Sequence, residues 1–301
     1  MIFQIIMYAC RLKNFDICEL CILSTVNKSL NQRLQDILPL TMRITLTNKY
    51  NIKYLVKLFS RLRGKRLYFT ISPSKLIYDE DLTGLANLPL RSLDISGTNI
   101  TDGGLVHLKD LPLKYLYLSD TNITGDSLVR LKDLPLRNLD LSDNNITGDS
   151  LVHLKDLPLR NLYLSDTKIN DDGLVHLKNI PLTDLDLSST KITGDSLAHL
   201  NNLPLTYLDL HNNNITGDSL VHLKILPLTD LDLSDTKITD GGLVHLKDLP
   251  LTDLYISGTG ITGDGLVHLE DLPLRLLDIS ETRAANCVLS NAISQIRIIY
   301  I

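Results

Sequence analysis

Along most of this chain the apolar and polar positions fall into one pattern that returns every 23 residues. In residues 134–156, LPLRNLDLSDNNITGDSLVHLKD, Leu136, Leu139 and Leu141 follow the spacing LxxLxL, and the last two alternate with Asn138, Asp140 and Ser142. A period of two predicts a strand with one buried face. The polar stretch DNNITGD follows, a turn in which Ile146 points inward. Leu151, Leu154 and Leu157 then recur at spacings of three and predict a short helix with one apolar face. Thr147 is placed to cap that helix, and Asp149 lies in its first turn, where the helix dipole favours an anion. Pro158 ends it, because proline lacks an amide proton and disfavours helix in the residue before it.

The same proline returns at Pro89, Pro112, Pro135, Pro158, Pro181, Pro204, Pro227, Pro250 and Pro273, which marks nine units over residues 88–282. A fixed period in this range predicts a solenoid. A unit of this length has too little interior to fold alone, so neighbours must pair their strands and share one leucine core. Outside the regular array the pattern is looser. Apolar stripes at Ile5, Ile6, Ala9 and Leu12, and at Leu20, Leu23, Val26, Leu30 and Leu34, predict helices within residues 1–34. Residues 42–46 and 67–71 read as strands and residues 52–62 as a helix, worn versions of the repeat. After the array, residues 284–293 read as a last helix and 295–301 as a final strand. The expected divisions are thus 1–40 helical, 41–87 degenerate repeats, 88–282 regular repeats and 283–301 a C-terminal cap.

These units resemble the leucine-rich repeat family, whose pattern LxxLxLxxNxL stands here as Leu136-x-x-Leu139-x-Leu141-x-x-Asn144-x-Ile146. The resemblance spans about two thirds of the chain without an insertion. It departs from the family at the asparagine position, which is asparagine only at Asn144 and Asn213. Elsewhere it is Thr98, Thr121, Thr167, Thr190, Thr236, Thr259 and Thr282. Threonine can still hydrogen-bond backbone groups in the turn, with a shorter reach. The resemblance implies an α/β leucine-rich-repeat solenoid with a curved parallel sheet on its concave face and short helices on its convex face.

Two readings compete for the N-terminal helices. One is a cap over the leucines of the first repeat, which any solenoid needs. The other rests on FDICELCILSTVNK, in which Phe15, Asp16, Glu19, Leu20, Leu23, Ser24, Val26, Asn27 and Lys28 are similar to the middle of an F-box. The F-box family docks through this segment onto the adaptor of cullin–RING (SCF-type) ubiquitin ligases, and many members carry leucine-rich repeats as the substrate arm. That resemblance implies adaptor contacts by Phe15, Leu20, Leu23 and Val26. The family's opening Leu-Pro is absent from this sequence.

Charge sharpens the division of the chain. Residues 1–80 hold 13 Lys and Arg against 5 Asp and Glu, while the whole chain carries a net charge of −5, so the repeats are strongly acidic. The basic run Arg61, Arg63, Lys65 and Arg66 has no interleaved aromatic platform and reads as a solvated loop, not a nucleic-acid site. The apolar start MIFQIIMYAC is short and has no positive residues ahead of it, so neither a signal peptide nor a membrane span is expected. With only Cys10, Cys18, Cys21 and Cys287, no paired cysteines cap the array. The N-x-T triplets opened by Asn99, Asn122, Asn145 and Asn214 are products of the repeat's own NIT sequence. An intracellular, cytoplasmic protein fits these features best.

Little in the sequence argues for catalysis. Gly258-Thr-Gly260-Ile-Thr-Gly263 mimics a dinucleotide fingerprint, but the same slot elsewhere reads SDTKITD and SDNNITG, so the glycines are variants of the turn. No cofactor is expected. His107, His153, His176, His199, His222, His245 and His268 form a ladder that the copying of the repeat explains, with no convergence on a metal. Cys18 and Cys21 are a lone CxxC without a second pair. No nucleophile has a histidine and carboxylate that are not repeat copies, and no phosphate loop occurs. The chain is expected not to be an enzyme.

Copying stops at the outward strand positions, expected on the concave face. One column runs Asp94, Tyr117, Asp140, Tyr163, Asp186, Asp209, Asp232, Tyr255 and Asp278; two residues earlier run Ser92, Tyr115, Asn138, Asn161, Asp184, Tyr207, Asp230, Asp253 and Leu276. A flanking column changes from Arg91, Lys114, Arg137 and Arg160 to Thr183, Thr206, Thr229 and Thr252. The face therefore turns acidic toward its C-terminal half, with tyrosine, a common interface anchor, set among the aspartates. The expected partner-binding residues are Tyr115, Tyr117, Asp140, Tyr163, Asp186, Tyr207, Asp209, Asp232 and Tyr255, and the expected partner is a protein with a basic patch. As the substrate arm of a ubiquitin ligase the chain would also meet an adaptor; as a plain leucine-rich-repeat binding or scaffold protein it would not.

Overall fold

The structure is a computed structural model that describes residues 41–46, 66–71, 77–86, 88–286 and 297–299. The helices expected within 1–34 and 52–62, with Phe15, Leu20, Leu23 and Val26, lie outside the described residues. The chain divides into two compact units, Met1–Asn122 with Asp133–Pro135, and Ile123–Lys132 with Leu136–Ile301. In the first, strands β1 (Thr41–Leu46), β2 (Arg66–Ile71), β3 (Leu90–Asp94) and β4 (Tyr115–Tyr117) pair in sequence order, all parallel. The β2–β3 register slips at Leu67/Tyr68, before the regular period begins. The strands expected at 42–46 and 67–71 are therefore present.

In the second unit β5 (Asn138–Asp140), β6 (Asn161–Tyr163), β7 (Asp184–Asp186), β8 (Tyr207–Asp209), β9 (Asp230–Asp232), β10 (Asp253–Tyr255), β11 (Leu276–Asp278) and β12 (Arg297–Ile299) pair in the same way. Residue faces residue 23 positions on, as Leu139 faces Leu162 and Leu208 faces Leu231. The last pair breaks the beat, with Leu277 opposite Ile298. The fold is the α/β leucine-rich-repeat solenoid, a parallel sheet with short helices.

Burial follows the hydrophobic pattern. Leu136, Leu139, Leu141, Ile146, Leu151 and Leu154 have no exposed surface, and their equivalents in the following repeats are buried in the same way. Each repeat is tied to the next by backbone at two places. The strand ladder continues as Leu141 N donates to Tyr163 O at 2.9 Å, and beyond the turn Lys168 N donates to Ile146 O at 2.9 Å. Between these ties the chain must reverse. Asp143, Asp166, Ser189, Asn212, Asp235 and Glu281 do so with φ between 52° and 57°, and Gly258 fills the same slot at φ 65°. Left-handed backbone favours Gly, Asn and Asp, which explains the aspartates, Asn212 and Gly258 at this slot.

The departure at the family's asparagine position has a physical consequence. Thr167, Thr236 and Thr259 are buried and donate Oγ1 to the carbonyl three residues back, each at 2.6 Å. Asn213 makes that contact to Leu210 O and also reaches Leu187 O of the preceding repeat at 2.8 Å. Threonine thus satisfies its own turn, and Asn213 joins two.

The helices differ from the expectation in one respect. Gly148–Leu154, Gly194–Leu200 and Gly217–Leu223 are 3-10 segments, and among the described residues α-helix is confined to single turns at Asp171–Leu174 and Asp240–Leu243. The expected side-chain cap by Thr147 does not form. In a coil of three residues per turn, residue i+3 stands directly over residue i. Ser150 occupies that place, and its N and Oγ both donate to Thr147 O, at 3.2 and 2.6 Å. At three places among the described residues an aspartate holds the following repeat: Asp79 accepts from Thr101 N and Oγ1, and two others repeat the contact. Asp171 accepts from Thr193 N at 2.7 Å and Thr193 Oγ1 at 2.6 Å, and Asp240 does the same for Thr262.

Successive helical segments approach so closely that glycine is required at the contact. A Cβ on Gly173 would stand 2.5 Å from Gly148 Cα, and one on Gly242 would stand 2.5 Å from Gly217 Cα, backbone that cannot yield. Gly241, one residue away, would meet nothing within 4 Å. We expect Gly173→Ala to cost about 1–3 kcal/mol, as overpacking does, and Gly241→Ala to change stability by less than about 0.5 kcal/mol. Urea unfolding followed by circular dichroism checks both; equal effects would show that the close approach does not set the spacing.

Candidate functional site

Two outward side chains per three-residue strand face away from the leucine core, and they carry the variation between repeats. Tyr115 and Tyr117 stand on β4 of the first unit, in register with Ser92 and Asp94 of β3. The second unit carries Asp140, Tyr163, Asp186, Tyr207, Asp209, Asp232 and Tyr255, all half-buried, on strands whose register aligns them in two rows. Asp186, Asp209 and Asp232 are consecutive in one row, and Asp184, Tyr207, Asp230 and Asp253 in the other.

These carboxylates are held, not loose. In the first row Oδ1 of Asp186, Asp209 and Asp232 accepts the backbone N–H two residues on, from Ser188, His211 and Ser234, at 2.8 to 2.9 Å. In the second row Oδ2 of Asp184, Asp230 and Asp253 accepts from the hydroxyl of the preceding threonine, Thr183, Thr229 and Thr252, at 2.5 to 2.7 Å. All four threonine hydroxyls also lie within reach of the carbonyl 23 residues back, and Thr206, which precedes a tyrosine, has that contact to Thr183 O in place of a carboxylate. The threonine column that replaces the N-terminal arginines is thus a set of carboxylate clamps. Its sequence signal was the change of column from basic residues to threonine where the aspartates accumulate. None of Asp184, Asp186, Asp230, Asp232 and Asp253 pairs with a lysine or arginine among the described residues. The ion pair nearby is His211 Nδ1 with Asp235 Oδ2 at 3.7 Å, in the turn beyond the strand.

Crowding of like charges leaves its mark at the middle of the row. Burial, then the neighbouring Asp232 and Asp186, push the Asp209 carboxyl up to about 6, against the lowering effect of the His211 N–H and imidazole. Burial first, and then the surrounding aspartates, also raise the tyrosines: Asp209, Asp186 and Asp232 act on Tyr207, and Asp253, Asp230, Asp232 and Asp278 on Tyr255. Tyr163 is raised by burial, opposed by the hydrogen-bonding Asn161 and Asn138. All three are neutral hydroxyl donors at physiological pH. Oδ1 of Asn138 is enclosed without a hydrogen-bond donor, a further acceptor on this face.

Elsewhere the expected positions lack convergence. The histidines stand one per repeat on the helical segments. Among the described residues no group of His, Cys, Asp or Glu is arranged to hold a metal ion, and no helix is long and apolar enough to cross a membrane.

A carboxyl whose folded pKa lies above its unfolded value binds more protons in the folded state between the two values. Asp209 therefore costs nothing below its ordinary pKa of 3.8, and its penalty grows as pH rises through about 6. We expect Asp209→Asn to raise stability at pH 7.5 by about 1–2 kcal/mol, a fraction of the full linkage value because the group is partly solvated. The gain should vanish near pH 4. Thermal melts at the two pH values test this, and an equal gain at both would place its origin elsewhere.

Comparison with known proteins agrees with this geometry. A Leucine Rich repeat family model matches residues 86–108, 178–200 and 226–246, and a second Leucine Rich Repeat model matches residues 135–157 and 204–226. No curated protein matches the chain at a significant level. Among solved structures, an internalin (inlF) from Listeria monocytogenes str. 4b F2365 is similar with a TM-score of 0.54 and 20% identity, over 89% of this chain and 88% of its own. The plant peptide hormone receptor RGFR1, in complex with RGF2, has a TM-score of 0.45 and 17% identity over 87% of this chain and 50% of its own. A plant ice-binding protein has a TM-score of 0.47 and 20% identity over 73% of this chain and 75% of its own. At such identities the internalin likeness speaks for the fold alone. The units within these matched stretches read as leucine-rich repeats.

Proposed function

We propose that the chain is an intracellular protein-recognition module whose outward strand face binds a partner with a positive patch. The observation that carries this reading is a row of carboxylates fixed in place by internal donors and left without counter-charge. Carboxylates on adjacent strands repel one another, and a basic ligand relieves that cost without having to order them. Neutral tyrosines among them supply large, stiff contact area.

The finer reading is that the partner is a substrate and the chain the recognition subunit of a cullin–RING ubiquitin ligase. Its support is the F-box-like segment with Phe15, Leu20, Leu23 and Val26, together with a repeat arm suited to binding. Affinity capture with the intact chain separates the two levels. Leu20→Ala with Leu23→Ala should remove a ligase adaptor and keep the substrate, while Asp232→Lys should do the reverse. Capture that never contains an adaptor would leave a leucine-rich-repeat binding protein with no ligase link.

For the captured partner, affinity should fall as salt rises, mainly through slower association, because exposed charges steer encounter. Asp232→Lys should weaken binding by roughly tenfold or more, and Tyr255→Ala should instead speed dissociation. Surface plasmon resonance across a salt series reads all three. A partner indifferent to both salt and Asp232→Lys does not bind this face.

A further inference from the structure

A coil of three residues per turn has three lines of side chains, and the 3-10 segments of the second unit use them differently. In Gly148–Leu154 the line of Leu151 and Leu154 is buried in the core, and Ser150 and His153 form a second line, buried and half-buried. The third line is Asp149, Val152 and Lys155, with both charged residues exposed and the valine half-buried. Lys155, at φ −56° and ψ −28°, continues the coil. The same line returns as Asp126, Val129 and Lys132, as Asp172, Val175 and Lys178, and as Asp218, Val221 and Lys224. The repeat with Asp195, Ala198 and Asn201 keeps the order without the cation. Each segment thus presents an anion, an apolar group and a cation in one order along its axis. Neighbouring segments stack closely, as Gly148 does on Gly173, so the lines add up to three stripes across five repeats.

The charges of this ridge are not answered within the chain. Six residues of 3-10 coil span ~12 Å, too far for Asp149 to pair with Lys155. Among the described residues the ion pair is His211 with Asp235, away from the ridge. Like charges instead follow one another along each outer stripe. The valines between them make a continuous apolar strip, of the kind that marks an interaction surface. The core does not ask for valine there, because the leucine lines fill it.

We propose that this ridge is a homodimer interface, on which a second copy of the chain lies parallel and in register, valine stripe on valine stripe. The order of the charges selects the occupant. Turning a second copy over about an axis along the valine stripe lays its lysines on the aspartates of the first and its aspartates on the lysines, a self-complementary two-fold contact. Turning it over about the segment axis would lay aspartate on aspartate and lysine on lysine, which is strongly unfavourable. The pattern stops at Asp264, Val267 and Glu270, where the parallel copy would set anion on anion, so the contact belongs to the repeats before it. With a ridge ~12 Å wide and ~24 Å long, the interface is smaller than the standard size, and the dimer is weak and reversible. The inference is independent of the basic-partner reading, whose strand face lies across the leucine core from the ridge and stays open in the dimer.

Sedimentation velocity of the full chain, across a concentration series at low and high salt, tests this. A reversible dimer that weakens with salt is expected. Asp149→Lys alone and Lys155→Glu alone should each weaken it by roughly tenfold or more, since each change acts twice across the two-fold axis. The two together should restore it, because in register these positions face each other. Both residues are exposed, and circular dichroism confirms that the variants are folded. A chain that stays monomeric up to near-millimolar concentration would overturn the proposal. So would a dimer that ignores the single reversals, or one that the double reversal fails to rescue.

Discussion

No repeat in this chain owns an interior. The leucines of one strand and the isoleucine of the next turn are buried because the adjacent repeat covers them, and the strand ladder and the tie beyond the turn fix that neighbour at a set distance. Every other feature answers to that spacing. The left-handed residue after each strand must reverse the chain within it. The helical segment must be narrow enough to stack, hence mostly 3-10 geometry, and glycine against glycine where the 3-10 segment at Gly148 meets the α-turn at Gly173. A unit with a fixed period has few ways to satisfy all of this, which is why its sequence is copied so closely.

The same constraint frees the outward strand positions. They take no part in the core, so aspartate, asparagine, tyrosine and leucine alternate there while the leucines behind them stay fixed. Freedom has still been used with order. Threonine hydroxyls and strand-end amides hold the acidic side chains in set rotamers, so the charge of the face is tied to the geometry of the fold. The raised proton affinity at Asp209 comes first from burial and then from that crowding.

How much of this was legible depended on whether a feature lies within one repeat or between two. Strand, turn and helix were legible because each is a local pattern, and the glycines of Gly258 to Gly263 could be dismissed by comparing the slot across copies. The strict three-residue spacing of Leu151, Leu154 and Leu157 was itself a 3-10 signal, yet an amphipathic α-helix tolerates the same spacing, so the Thr147 cap was expected and Ser150 was overlooked. The glycine contacts could not be read at all, since they express a distance between neighbouring repeats. The threonine clamps escaped for a related reason: a strand accepts threonine readily, and nothing in its identity says where the hydroxyl points. Phe15, Leu20, Leu23 and Val26 remain known from sequence resemblance.

The rarity of asparagine in the turns bears on how the array resists being pulled apart. Asn213 stitches its turn to the repeat before it through Leu187 O, and Thr190 adds a contact to Asn213 Oδ1 at 3.1 Å. Thr167, Thr236 and Thr259 offer no such stitch, since each bonds within its own turn. Tension along the stacking axis would therefore not be borne evenly. The seams closed by threonine alone would part before the one sewn by Asn213, so that under load the two repeats it joins would come away together.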